Sequence, residues 1–266
     1  MTLDHDALTT ARTFLFVPGH RPDRYDKATA SGADVVVLDL EDAVAPADKD
    51  QARRNIAAWL AQGGQAVVRV NASGTRWFDD DLDLVTTHGC PVMLPKAEGT
   101  DLPERPAGAS AVIPLIETAV GVESALDICR APGVVRAAFG SVDLATELGV
   151  RHDDRLALGY ARSRLVVASA AAGIAAPVDG VTTALDDPDT LADDLRHARR
   201  LGFGGKLCIH PRQLDAARTG FAPTEHELRW ARRVIDAGDA VSVVDGAMVD
   251  KPVLERARRL LDAADR

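Results

Sequence analysis

Eight short apolar segments, each rich in β-branched residues, recur along this 266-residue chain and constrain its fold more than any other feature. They are continuous apolar runs rather than alternating ones, which is typical of parallel strands covered on both faces. The stretches between them place apolar residues at helical spacing, at 53–60, 121–129, 157–172 and 190–201. The eight segments are Thr13–Val17, Asp34–Leu40, Ala66–Val70, Pro91–Pro95, Ala111–Ile116, Val134–Phe139, Ala175–Val178 and Lys206–Ile209.

The regular alternation of strand and helix predicts an α/β fold, a closed (β/α)8 TIM barrel. Eight repeats without a break in composition favour a closed barrel over an open, doubly wound sheet, and the chain length suits one barrel. No G-x-G-x-x-G phosphate-binding loop follows the first segment. We assign the barrel to residues 11–220.

The last 46 residues have a different pattern, which predicts a helix–hairpin–helix extension over residues 221–266. A capping box and an Asp-Gly dipeptide between two apolar runs are strong local signals for a helix start and a hairpin turn. The extension is too small for a separate domain, so we expect a lid that packs on this barrel or on a neighbouring subunit. Its pieces are a capping box at Thr224–Glu227, a helix to about Ala237, apolar runs at Val241–Val244 and Ala247–Val249 around Asp245-Gly246, and a helix from about Pro252.

Charge and composition exclude several classes of partner. The net charge is −9 with no basic block, which argues against nucleic acid because phosphate neutralisation needs clustered Lys and Arg. No stretch is long and apolar enough to span a membrane, and the polar N-terminus does not resemble a signal peptide. The three isolated cysteines, Cys90, Cys129 and Cys208, are predicted to be buried thiols, which suits a reducing cytoplasm.

Ionisable residues follow nearly every predicted strand, and in a parallel barrel the strand ends carry the active site. Several carboxylates at one mouth would repel one another and raise each other's pKa, a conflict that a bound divalent cation resolves. Ligands that are all oxygen favour magnesium or manganese over zinc. The carboxylates concerned are Asp39, Glu41, Asp42, Glu117 and Asp143.

Three basic or neutral groups lie at the same strand ends. The planar fork of Arg69 suits a substrate carboxylate held through two hydrogen bonds, although an internal salt bridge is the alternative. Lys96 would act similarly or would neutralise Glu98. His210, between an apolar strand and a proline, is interpreted as a core or rim histidine.

These strand ends resemble those of the citrate lyase beta subunit family, which belongs to the wider HpcH/HpaI-type aldolases and includes malyl-CoA and citramalyl-CoA lyases. The similar pieces occur in the family's order and together are specific. They are F-V-P-G-H-R-P (Phe16–Pro22), D-L-E-D-A-V (Asp39–Val44), V-R-V-N (Val68–Asn71), L-P-K-A-E (Leu94–Glu98), I-E-T-A-V-G (Ile116–Gly121), F-G-S-V-D-L (Phe139–Leu144), C-I-H-P (Cys208–Pro211) and G-A-M-V-D-K-P (Gly246–Pro252).

The resemblance implies a Mg²⁺-dependent carbon–carbon lyase. Such an enzyme cleaves a hydroxyacyl-CoA, such as malyl-CoA or citramalyl-CoA, into acetyl-CoA and a 2-keto acid, or forms it from them. It also implies a homo-oligomer, with a trimer favoured. The implied residue roles are Mg²⁺ ligation by Glu117 and Asp143, with Glu117 also at the substrate, metal-bound waters held by Glu41 and Asp42, a keto-acid carboxylate held by Arg69, CoA phosphates met by Arg21 and Lys27, and acid/base catalysis by Asp250 in a neighbouring subunit's site.

Three alternatives stay open at this stage. The same site could hydrolyse the thioester, as a malyl-CoA thioesterase does, or act as a pyruvate-type aldolase on free aldehydes. The chain could also be an acyl-carrier-dependent subunit of a citrate lyase complex. Asp250 has a structural alternative of its own, since it could simply cap the last helix.

Overall fold

The computed structural model describes residues 3–99, 109–238 and 242–264, and within these ranges eight parallel strands close into a barrel. Each strand pairs with the next along the chain, and β8 pairs with β1. The closed barrel that the alternation predicts is therefore confirmed. The strands are β1 Thr13–Pro18, β2 Val35–Asp39, β3 Val67–Arg69, β4 Val92–Leu94, β5 Val112–Ile116, β6 Arg136–Phe139, β7 Ala175–Asp179 and β8 Gly205–Cys208.

Helices cover the barrel, and the segment predicted as one helix at 121–129 is two helices joined at Ser124. No described helix is long and apolar enough to cross a membrane. The three cysteines are buried free thiols, as predicted. The helices of this part are α1 His5–Thr10, α2 Tyr25–Ala30, α3 Lys49–Ala61, α4 Phe78–His88, α5 Ala119–Glu123, α6 Ala125–Cys129, α7 Ser141–Leu148, α8 Gly159–Ala172, α9 Pro188–Leu201 and α10 Leu214–Phe221.

Alternation along the strands decides which side chains enter the barrel. Val35 and Val37 of β2 and Val67 of β3 belong to the cluster that fills the interior. The same period carries Asp39 and Arg69 into the interior at the ends of these strands, where the two residues are register partners. A pair of opposite charges therefore lies at the mouth of the barrel.

On β7 and β8, the side chains that alternate with the interior residues point outward. Val178 and Leu207 are interior residues, so their neighbours Asp179 and Lys206 face the helices. The Lys206 Nζ atom donates to Asp179 Oδ2 at 2.8 Å, and Arg162 of α8 donates to Asp179 Oδ1 at 3.1 Å. This buried ion cluster is satisfied within the outer layer.

The chain divides into two compact units, residues 1–220 and 221–266. The second unit contains α11 Glu225–Asp236, a hairpin of β9 Ser242–Val244 and β10 Ala247–Val249, and α12 Lys251–Ala264. The Thr224–Glu227 capping box is present, and both turn residues, Asp245 and Gly246, have positive φ, as an Asp-Gly hairpin turn requires. The predicted strand residue Val241 lies outside the described residues.

Candidate active site

Arg69 and Asp39 form a buried, two-bonded ion pair at the mouth of the barrel. Arg69 donates from Nε and Nη2 to the two carboxylate oxygens of Asp39, each at 2.7 Å. The same carboxylate accepts the backbone amides of Glu41 and Ala43. Burial acts to raise the pKa of Asp39, but the Arg69 charge and these hydrogen bonds hold it below its usual value. Asp39 is thus an anchor for the β2 end, with no oxygen left to receive a cation.

The Arg69 donors that Asp39 does not use face two further carboxylates. Its Nη1 atom lies 3.1 Å from Glu41 Oε2 and 3.9 Å from Asp42 Oδ2. Glu41 is buried, whereas the Asp42 side chain is 59% exposed. The internal salt bridge that the sequence left as an alternative therefore exists. Asp39 binds the Nε and Nη2 edge of the guanidinium, and Nη1 is the nitrogen that lies near Glu41 and Asp42.

Lys96, two residues after β4, donates hydrogen bonds to the Glu41 and Glu117 carboxylates. Its Nζ atom donates to Glu41 Oε1 at 2.6 Å, and its backbone amide donates to Glu117 Oε1 at 2.9 Å. The residue has φ of 49°, a left-handed conformation that is strained for a residue with a side chain. The side-chain partner of Lys96 is Glu41 and not Glu98, which lies two residues further along the chain.

Glu117, directly after β5, is a buried carboxylate of the site with a strongly raised pKa. It is 2% exposed, and burial together with the charges of Glu41 and Asp143 raises its pKa to about 8. A Cβ added at Gly140 would overlap the Cβ and Oε2 atoms of Glu117, so only glycine leaves room for this side chain. Asp143, in the first turn of α7, is partly buried.

The repulsion among these carboxylates suits a site that binds a cation. The charges that raise the pKa of Glu117 would be neutralised by a positive ion held between Glu117 and Asp143. In the described part of the chain, no three His, Cys, Asp or Glu side chains are arranged as a metal-binding group. Magnesium is the divalent ion that this suits, because it is bound through one or two carboxylates and keeps its other positions for water and substrate.

The remaining predicted residues lie after β1, on α2 and immediately before α12. Arg21 forms a two-bonded pair with Asp23 at 2.9 and 2.8 Å after β1, and Lys27 is exposed on α2. Asp250, in the second unit, accepts the Val253 amide at 3.4 Å and so caps α12. The capping role left open for Asp250 is therefore present, and its acid/base role stays a prediction.

Sequence reasoning missed the residues that support the β2 and β3 ends. Lys49, the first residue of α3, donates to the Glu41 carbonyl, and Asn71 contacts both Lys49 and Asp81. The available signal was the position of Asn71, which lies two residues after the end of β3. Lys49 and Asp81 lie on helices, where a charged residue gives no sign that it points inward.

A buried acidic centre beside a guanidinium at the C-terminal mouth of a (β/α)8 barrel is the arrangement of a barrel enzyme site that suits cation-assisted chemistry. Residues 12–211 match the model of the HpcH/HpaI aldolase/citrate lyase family. The chain belongs to this family.

Relatives extend the match to nearly the full length. The citrate lyase subunit beta-like protein of Deinococcus radiodurans is 39% identical, with 94% of this chain and 96% of that protein covered. A (3S)-malyl-CoA thioesterase of Cereibacter sphaeroides is 36% identical, with 96% and 94% covered. A solved structure with a similar fold is that of the protein CitE from Mycobacterium tuberculosis in complex with magnesium, acetoacetate and coenzyme A. Its sequence is 35% identical to this chain, the TM-score is 0.85, and the match covers 97% of this chain and 99% of that one.

Proposed function

We propose that this protein is a magnesium-dependent carbon–carbon lyase that cleaves a hydroxyacyl-CoA, such as malyl-CoA or citramalyl-CoA, into acetyl-CoA and a 2-keto acid, or forms it in reverse. The observation that carries the proposal is the buried Glu117, whose pKa is raised by Glu41 and Asp143 beside the Arg69 guanidinium. Such a centre suits a cation and an anionic substrate together. The magnesium, acetoacetate and coenzyme A in the CitE structure support the same ligands here.

Glu117 and Asp143 would hold the magnesium ion, and Glu41 and Asp42 would hold its waters. When bound, the ion supplies a Lewis acid and a template for the keto-acid oxygens. Glu41 is fixed for this task, because Arg69 and Lys96 contact its two carboxylate oxygens. Asp42 is more exposed, with 59% of its side chain accessible to solvent.

The remaining groups would bind substrate and move protons. Arg69 would receive the keto-acid carboxylate through its Nη1 and Nη2 donors, and Arg21 and Lys27 would meet the CoA phosphates. In cleavage the substrate hydroxyl loses its proton, the C–C bond breaks toward the thioester, and the resulting enolate takes a proton at carbon. Asp250 would serve one of these two transfers as acid or base.

We further propose that the protein works as a homo-oligomer, a trimer in the favoured arrangement, in the cytoplasm, with Asp250 acting in a neighbouring subunit's site. Exposed apolar side chains on α5, on α7, in the turn before α8 and at the start of α8 support self-association, because large exposed apolar patches mark interaction surfaces. The hydrogen bond from Tyr160 to Glu123 brings α8 close to α5. The apolar side chains are Val120, Val142, Leu148, Leu156 and Tyr160.

Thioester hydrolysis is the second candidate, favoured by the similarity to (3S)-malyl-CoA thioesterases. An acyl-carrier-dependent citrate lyase subunit is a third, since the citrate lyase subunit beta of Leuconostoc mesenteroides is 35% identical. A hydrolase and a lyase differ in their products from one substrate.

The test is to incubate the purified protein with magnesium and a panel of hydroxyacyl-CoA thioesters, with and without EDTA, and to identify the products. Acetyl-CoA plus glyoxylate or pyruvate, lost with EDTA, is the expected result. Free CoA with an intact hydroxy acid would reassign the protein as a thioesterase. No turnover of any thioester would refute the lyase assignment and favour a carrier-dependent subunit or a free-aldehyde aldolase.

A further inference from the structure

Lys49 is a buried lysine whose ammonium is fully committed to the backbone and side chains of the two strand ends beside the site. It is 6% exposed. Its Nζ atom donates to the Leu40 carbonyl at 2.8 Å, the Glu41 carbonyl at 2.8 Å and Asn71 Oδ1 at 2.6 Å. An ammonium has three donors, and here each has an acceptor. Lys49 thus joins the end of β2 to the end of β3.

The far end of this connection is anchored by α4. Asp81 is 0% exposed, and its Oδ2 atom accepts both the backbone amide of Asn71 at 2.9 Å and the side-chain amide at 2.6 Å. Its Oδ1 atom accepts from Arg53 Nε at 2.8 Å. Arg53 is on α3, one turn after Lys49. The network therefore starts and ends on the same helix, and each link is a direct hydrogen bond.

The location of Lys49 explains why a charge is kept in this interior. Burying an ammonium is costly unless it is paired and hydrogen-bonded. Here its charge faces the carboxylates of Asp39, Glu41, Asp42 and Asp81, and its Nζ atom lies 5.0 Å from the centre of the Trp77 ring. The ammonium makes no hydrogen bond to the carboxylate oxygens of Glu41, which remain with Lys96 and Arg69.

We propose that Lys49 is a positioning residue for the reaction: by holding the Glu41 carbonyl against Asn71, it sets where the Glu41 carboxylate lies relative to Arg69. Lys49 donates a hydrogen bond to the Glu41 backbone carbonyl, and Lys96 donates one to the Glu41 carboxylate. This inference rests on the proposed lyase function for its catalytic consequence, but the structural constraint itself does not require any substrate. It predicts an effect on turnover with thioester binding preserved.

The first experiment uses no ligand. Hydrogen–deuterium exchange is followed by mass spectrometry in the full-length wild type and in Lys49→Met, which keeps the length of the side chain and removes its donors. The amides of Glu41 and Ala43 are bonded to Asp39, and that of Val44 to the Glu41 carbonyl. We expect amide exchange in residues 40–44 to become about tenfold faster, which corresponds to a decrease of about 1.4 kcal/mol in the free energy of local opening. Unchanged exchange there would overturn the proposal.

The matched control is Lys206→Met, which also removes a buried lysine ammonium but acts on the outer layer through Asp179. We expect faster exchange around residues 175–179 and wild-type exchange at 40–44. Equal loosening of 40–44 in both variants would mean general destabilisation and would also overturn the proposal. If Lys49→Met does not fold, Lys49→Gln takes its place with the same expected outcomes, because its neutral side-chain amide cannot donate to all three acceptors of the ammonium.

The second experiment measures kinetics with the thioester that the wild type turns over. A displacement of about 1 Å in a reacting group costs on the order of 100-fold in rate. We expect kcat of Lys49→Met to fall by about this factor, KM for the thioester to stay within about twofold, and Lys206→Met to keep its kcat. A rise in KM at constant kcat would refute the positioning role. If the wild type turns over no thioester, the proposed function fails, and the exchange result alone decides the role of Lys49.

Discussion

Replacing Glu117 by glutamine tests the electrostatics of the site directly. The side chain is buried, and its pKa is raised from 4.5 to about 8, by burial first and then by Glu41 and Asp143. Glutamine has nearly the same shape and cannot ionise. The variant therefore removes the buried charge and leaves the packing against Gly140 in place.

The sign and size of the effect follow from proton linkage. Because the pKa is higher in the folded than in the unfolded protein, the folded protein binds more protons between pH 4.5 and about pH 8, so its free energy of unfolding falls as pH rises through this range. A pKa difference of about 3.5, at about 1.4 kcal/mol for each pH unit, amounts to a penalty of about 5 kcal/mol above pH 8 without metal. Below pH 4.5 the Glu117 penalty is absent.

The assay is urea unfolding in EDTA at several pH values from 4.5 to 8.5. We expect wild type to lose several kcal/mol of stability relative to Glu117→Gln across this range. The variant Glu98→Gln, which removes an exposed carboxylate from the loop after β4, should keep the wild-type pH dependence. Magnesium should then stabilise wild type at pH 8 and not Glu117→Gln. Parallel pH profiles for wild type and Glu117→Gln would refute the reasoning.

Three further changes have defined outcomes. Lys96→Gly should be about 1 kcal/mol more stable than Lys96→Ala in urea unfolding, because glycine relieves the left-handed backbone; equal stabilities would contradict that strain. Gly140→Ala should displace Glu117, cost about 1–3 kcal/mol and abolish the magnesium-induced rise in Tm, whereas a normal rise would rule out the crowding. Asp250→Asn should keep the α12 cap and Tm but lower kcat by at least about 100-fold, and normal turnover would remove Asp250 from the mechanism.

The sequence was sufficient to determine the barrel and the place of its site. Strand and helix periodicities are properties of neighbouring residues, so eight apolar runs could be located to within one or two residues of β1 to β8. Once the strands are parallel, their C-terminal ends must meet at one mouth, and Arg69 and Glu117 had to lie there. The Thr224–Glu227 capping box and the Asp245-Gly246 turn were equally readable, because their hydrogen bonds and backbone angles are local.

The tertiary structure alone decided which charges are partners and which stay free. Arg69 had several carboxylates within reach in principle, and only the register of β2 against β3 pairs it with Asp39. Lys96 contacts Glu41, 55 positions away, and not its near neighbour Glu98. Lys49 enters the site from a helix, where no periodic signal marks it. The raised pKa of Glu117 likewise comes from burial and from charges brought together by different strands, a sum over distances that the order of residues along the chain does not contain.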